Sequence, residues 1–127
     1  MDGLIAFLRA RWGEEEADAR LASAVYGKSW WWNPAFGLVK GDPDDSEATS
    51  IFSLGEETVA EVWSEVGPHI ARHDPARVLR DIEAKWRMLE LAQDMLASPI
   101  EPGAGQDLRL FALPYADHSD YQPEWKP

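Results

Sequence analysis

The sequence has 127 residues, of which 45% are hydrophobic and seven are tryptophans, so we expect a single folded domain over residues 1–127. A formal net charge of −11 argues against general affinity for nucleic acids or anionic membranes. The lack of cysteine excludes disulfides and thiolate sites, and no apolar run is long enough to span a membrane, so we expect a cytoplasmic protein.

The first predicted element is a helix that begins with Asp2 as its cap and stops at Gly27. Acidic Asp2 also argues against a signal peptide. Apolar residues recur at helical spacing along this segment, at Leu4, Ile5, Leu8, Trp12, Ala19, Ala22 and Tyr26.

Residues 28–66 combine aromatic and β-branched residues with turn signals, which predicts a small antiparallel sheet of two to four strands. We expect a strand over residues 50–54. Residues 57–65 stay open, because Val59, Val62, Trp63 and Val66 also fit a helical period.

A long helix follows a short turn over His69–His73. Asp74 is its predicted cap and Pro75 its first residue, and it should end near Ala97. Its predicted buried stripe comprises Val78, Leu79, Ile82, Trp86, Leu89 and Leu96.

Residues 98–106 have the composition of a flexible linker, and a short helix with the sequence DLRLFAL then ends at Pro114. We expect Tyr115, Tyr121 and Trp125 to hold the terminal tail against the rest of the protein. The predicted fold is therefore α+β, with an N-terminal helix, a small antiparallel sheet, a long capped helix, a short C-terminal helix and a packed tail.

Three consecutive tryptophans form the first candidate binding element. In a strand, Trp30 and Trp32 face one side and Trp31 faces the other, so one face covers core while the other is exposed or covered by a second layer. Tryptophan is enriched at binding hot spots. The acidic segment that follows contributes three further candidate binding residues, Asp42, Asp44 and Asp45.

The long helix offers a second candidate, a row of arginines at Arg77, Arg80 and Arg87. Guanidinium groups of this kind can clamp a phosphate or a carboxylate. The alternative that we favour is internal pairing, since residues 41–66 hold eight acids and no lysine or arginine.

His69 and His73 lie four residues apart, so one helical turn would point both imidazoles the same way, as zinc ligands require. His118 or an acid from the tail would have to complete such a site. A hydrolase could use the same histidines, but no serine lies in a nucleophile-elbow context. We therefore expect no cofactor and lean against an enzyme, with a zinc or hydrolytic site at His69, His73 and His118 as an alternative.

The segments HIARHDPARVL and LPYADH, followed by EW, resemble a domain-of-unknown-function family of actinobacteria and their phages. The opening MDGLIAFLRARWGEEEADAR is similar to the N-terminal helix of that family. The resemblance leaves out residues 33–66, and Trp31 and Trp86 depart from the polar or small residues usual there. It implies a small cytoplasmic protein, phage- or prophage-encoded in some cases, and it brings no catalytic residues.

The leading functional expectation is an acidic accessory protein that binds another protein without catalysing a reaction. The predicted contacts are the three tryptophans and the acidic segment. One alternative is a DNA mimic that inhibits a nucleic-acid-binding protein, which requires acids spaced like duplex phosphates on one surface.

Overall fold

The computed structural model describes residues 2–33, 48–53, 58–63, 65–97 and 104–127, and most of these residues are helical. The helices are α1 (Asp2–Tyr26), α2 (Gly67–Arg72), α3 (Pro75–Leu96) and α4 (Ala104–Ala112). Three short strands, β1 (Trp30–Asn33), β2 (Ala48–Ser53) and β3 (Thr58–Trp63), pair in that order as an antiparallel sheet. The predicted α+β class is therefore confirmed in part, since helices dominate and the strands are few and short.

The chain forms two compact units. The first comprises Met1–Glu15 and Asp81–Pro127, and the second comprises Glu16–Arg80. Whether residues 1–127 act as a single domain stays a prediction.

The core of the first unit combines one face of α1 with the inner faces of α3 and α4. The side chains that are almost wholly buried in it are Leu4, Leu8, Trp12, Ile82, Leu89 and Leu108. The ring of Trp12 packs edge-to-face against Trp86 and Phe111, with centroids 5.3 and 5.8 Å away. Each fully buried side chain of this size contributes about 1.5–3 kcal/mol by leaving water, so this helical face holds the unit together.

The sheet belongs to the second unit, where β1 pairs with β2 and Trp31 lies opposite Phe52. Strand β3 pairs with β2 along its length, which settles residues 58–63 as strand rather than helix. Helix α2 packs on β1, and the indole of Trp32 lies so close to Gly67 that a Cβ at that position would overlap it. Gly67 is therefore required by the close approach of a bulky ring.

Two helix boundaries follow local chemistry as predicted. Gly27 has a φ of 80° and donates its N–H to the Ser23 carbonyl at 2.8 Å, so it ends α1 in a conformation that favours glycine. At the start of α3, Asp74 Oδ1 accepts the N–H of Arg77 at 2.9 Å. Asp74 Oδ2 also accepts the N–H of Trp30 at 3.1 Å, so this cap fixes the start of β1 as well.

Three boundary predictions need correction. Asp2 was predicted as the cap of α1, but it is the first helical residue. Its carboxylate there interacts favourably with the positive end of the helix dipole. Helix α4 begins at Ala104, so residues 104–106 of the predicted linker are helical, while residues 98–103 lie outside the described residues. Helix α4 also ends at Ala112 rather than at Pro114, and a 3-10 turn follows over Leu113–Tyr115.

Candidate functional site

The aromatic tail packs on α1 through Phe7, as the spacing of aromatic residues in the tail predicted. Four tail rings surround Phe7, with centroids between 5.0 and 6.2 Å from its own: Tyr115, His118, Tyr121 and Trp125. Phe7 is 6% exposed, although it was not part of the predicted apolar stripe of α1, whereas Ile5 of that stripe is only half-buried. Packing of the tail therefore accounts for the burial of Phe7.

Arg11 is the buried charge of this region, with only 8% of its surface exposed. Its guanidinium donates to Glu14 at 2.9 Å and lies over the ring of Phe7, 5.2 Å from the centroid. It also contacts the imidazole of His118 and lies 4.0 Å from the carboxylate of Asp120. The contacts with His118 and Asp120 connect Arg11 on α1 to the tail, while Glu14 is its partner within α1.

Arg11 was missed at the sequence level, although a signal exists. It follows Leu4 by seven residues and Leu8 by three, which places it on the buried face of α1. A charged residue on such a face is rarely buried without partners.

A groove of about 560 Å³ runs between α1 and the tail in this unit. Gly3, Ala6 and Ala10 contribute small residues to its α1 side, and a Cβ added to Gly3 would lie 3.8 Å from Trp125 Cζ2. The tail side carries the carboxylates of Asp120 and Glu124 beside the indole of Trp125. The residues that line this α1–tail groove are Gly3, Leu4, Ala6, Phe7, Ala10, Arg11, Asp120, Gln122, Glu124 and Trp125.

Tyr115 makes a part-buried hydrogen bond between the tail and α1. Its hydroxyl donates to Glu15 Oε1 at 2.7 Å. Burial of the phenol, followed by the hydrogen bond to Glu15 and its negative charge, raises the pKa of Tyr115 well above its ordinary value of 10.0. The phenol therefore stays protonated and keeps donating under ordinary conditions.

The three tryptophans alternate along β1, and Trp31 is more exposed than its two neighbours. Trp31 is 38% exposed, while Trp30 and Trp32 are half-buried on the other face. The indole N–H of Trp30 donates to the Gly27 carbonyl at 3.1 Å. Their candidate partners Asp42, Asp44 and Asp45 lie outside the described residues, so joint action of the two segments stays a prediction.

The arginine row of α3 forms a local contact at one position. Arg87 pairs with Glu83 one helical turn away at 2.7 Å, with both side chains well exposed. Arg77 and Arg80 are exposed as well. Pairing of this row with the acidic segment over residues 41–66 stays a prediction, because six of the eight acids in that segment lie outside the described residues.

His69 and His73 do face one another, with ring centroids 4.4 Å apart. The carbonyl of His69 already contacts His73 Nδ1 at 2.7 Å, and His118 is engaged with Arg11 and the N–H of Asp120. Among the described residues, no three histidine or acidic side chains cluster in a way that could hold a metal ion. Metal or hydrolytic chemistry at these histidines stays an untested alternative.

Similarity to known proteins identifies a family for the chain but no function. None of the helices in the described ranges is both long and apolar enough to cross a membrane. Residues 1–127 match the family of unknown function DUF6221. No curated protein and no solved structure matches the chain.

Proposed function

Because this chain belongs to DUF6221, a family of unknown function, we propose its role from its own surface: an acidic accessory protein that binds a cationic segment of another protein in the α1–tail groove. The groove itself is the observation that carries the proposal. We further propose that the protein acts in the cytoplasm and without catalysing a reaction. Its encoding by actinobacteria or phages stays a prediction.

The shape of the groove suits a protein segment. Gly3, Ala6 and Ala10 lie three and four residues apart, so they form a continuous strip of small side chains along α1. Small residues leave room for a partner backbone to approach closely, and the half-buried ring of Trp125 offers a broad contact surface beside them. A mixed lining of this kind favours an amphipathic ligand.

The charges of the groove favour a cationic occupant. Arg11 pairs with Glu14 and also lies 4.0 Å from Asp120, but Asp120 and Glu124 bring two exposed carboxylates to the lining against this one guanidinium. A lysine or arginine of the partner could meet these carboxylates and the face of Trp125 together. The net charge of −11 would also steer a basic partner towards the molecule.

Trp31 remains a second proposed contact. An exposed tryptophan on a strand is typical of an interface hot spot, and its neighbours Trp30 and Trp32 anchor that strand from the other face. A partner could use either surface, so the groove and the strand must be tested separately.

The groove is tested by filling it. Tagged wild-type protein and the variants Ala10→Leu and Ala24→Leu would be used to capture partners from a lysate of the encoding organism. Both alanines are exposed on α1, but only Ala10 lines the groove. A partner retained by wild type and Ala24→Leu but lost by Ala10→Leu supports the proposal, provided that circular dichroism shows all three to be folded. Equal recovery by all three proteins would contradict it.

The charge of the occupant is tested on the same partner. We expect the double change Asp120→Asn and Glu124→Gln to weaken binding by about tenfold at low salt and by less at high salt. The matched control is the double change Asp18→Asn and Glu90→Gln, which neutralises two exposed acids away from the groove. Equal weakening in both double variants would indicate overall steering rather than recognition in the groove.

A further inference from the structure

Helix α3 carries an exposed apolar row on the side opposite its buried face. The row comprises Ala84, Met88, Leu91 and Met95, and its three large side chains are 52%, 63% and 41% exposed in that order. The buried face of the same helix segment is centred on Ile82 and Leu89. Three large apolar side chains on one outward face are more than the isolated exposure usual at a protein surface.

The spacing of this row is that of a helix-pairing seam. Successive members lie four, three and four residues apart, which matches the alternating core positions of a two-helix coiled coil. From Ala84 to Met95 the row is about 16 Å long. It therefore offers four layers to a partner helix.

Side-chain size favours an antiparallel partner with the same sequence. In an antiparallel pair of α3 helices, Met88 of one copy meets Leu91 of the other, and Ala84 meets Met95. Each outer layer then combines a small residue with a large one, which packs well. A parallel pair would place Ala84 against its own copy and leave that layer underfilled.

Charge favours the same orientation. Arg87 and Asp94 lie on one flank of the row, seven residues apart, and both are exposed. In the antiparallel pair Arg87 of each copy lies beside Asp94 of the other, whereas a parallel pair would place Arg87 beside Ala92. Arg87 can keep its 2.7 Å contact with Glu83 as well, because a guanidinium has five N–H donors.

We propose that two copies of this chain associate through the outer face of α3 in an antiparallel, two-fold symmetric pair. Two-fold symmetry makes the Arg87 and Asp94 contact occur twice. Four layers form a small interface, below the roughly 1,200 Å² typical of stable complexes, so the association is weak and reversible. This surface is separate from the α1–tail groove.

Charge reversal tests the orientation. Sedimentation velocity over a hundredfold range of protein concentration should show concentration-dependent dimers for the wild type. Arg87→Asp and Asp94→Arg should each lower the association constant by about tenfold or more, because each places like charges together. An equimolar mixture of the two variants should associate again, since the mixed pair regains opposite charges at both contacts.

Two controls complete the test. Asp18→Arg makes the same change in net charge as Asp94→Arg at an exposed position of α1, and it should leave association unchanged. Leu91→Ser should weaken association without changing the helical circular dichroism spectrum. A wild type that stays monomeric at every concentration would overturn the proposal, as would a mixture that associates no better than its components.

Discussion

The tail cluster around Phe7 and the tryptophan strand β1 are both rich in aromatic residues, but they differ in how far those residues are buried. In the first unit, four tail rings surround one phenylalanine that is 6% exposed. In the second unit, three consecutive tryptophans lie on a strand and one of them, Trp31, is 38% exposed. Aromatic content alone therefore does not distinguish core from surface.

The difference lies in the period of the backbone that carries the rings. A helix turns residues such as Leu4, Phe7, Leu8 and Arg11 to a single face, so a returning tail can cover them together. A strand sends every second side chain outwards, so consecutive tryptophans cannot share one covered face. Trp31 is therefore the ring of this strand that is 38% exposed, and its role in binding stays a proposal.

The largest effect is expected at the centre of the cluster. Phe7→Ala removes a buried ring together with its contacts to four others, and it should lower the free energy of unfolding by about 3–5 kcal/mol. Urea denaturation measures that loss. Hydrogen exchange should also show that the amides of residues 115–125 lose protection, because Phe7 holds the tail.

Trp31→Ala is the matched change on the strand. It removes a larger ring, but Trp31 is 38% exposed whereas Phe7 is 6% exposed, so it should lower the free energy of unfolding by less than Phe7→Ala, by about 1–2 kcal/mol. A loss at Trp31 as large as that at Phe7 would mean that the two aromatic groups have equivalent structural roles.

A change at Gly67 tests the packing of Trp32 on β1, with an effect smaller than that of Phe7→Ala. Gly67→Ala adds a methyl group that overlaps the indole of Trp32, and it should lower the free energy of unfolding by about 1–3 kcal/mol. Gly13→Ala is the control, because no atom lies within 4 Å of the added methyl in α1. That change should raise stability by about 0.5–1 kcal/mol. Equal thermal shifts in the two variants would show that Trp32 yields easily.

Sequence patterns predicted those elements whose causes are local. Gly27 ends α1 because a positive φ suits glycine. Asp74 caps the start of α3 at Pro75 through a hydrogen bond from the N–H of Arg77, only three residues away. The terminal aromatics were expected to pack, and they do. Helix or strand over residues 57–65 stayed open because Val59 and Val62 fit both periods, and pairing with β2 shows that residues 58–63 form a strand.

The α1–tail groove could not be predicted, because its two walls are distant in sequence. In the sequence Gly3 and Ala10 are ordinary small residues of a helix, and only the fold brings them into one groove with Trp125. Arg11 likewise looks like a surface residue until Glu14, Phe7 and the tail supply its contacts. The family match adds no site, since the function of that family is unknown.

The smallest effect separates packing from hydrogen bonding within the cluster. Tyr115→Phe keeps the ring but removes the hydroxyl that donates to Glu15, so stability near pH 8 should fall by about 1 kcal/mol. Tyr121→Phe is the control, because its buried hydroxyl has no hydrogen-bond partner among the described residues. Removing that hydroxyl should change stability near pH 8 by less than about 0.5 kcal/mol or raise it.

The raised pKa of Tyr115 makes its contribution depend on alkaline pH. Above the ordinary value of 10.0, an unfolded chain loses the phenol proton while the folded chain keeps it. The contribution is therefore complete below about pH 10 and declines as pH rises further towards the folded pKa. Urea denaturation at pH values on both sides of 10 should show a steeper alkaline loss for wild type than for Tyr115→Phe. Parallel declines would mean that the phenol is not held protonated by burial and Glu15, and that the cluster packs its rings without a working hydrogen bond.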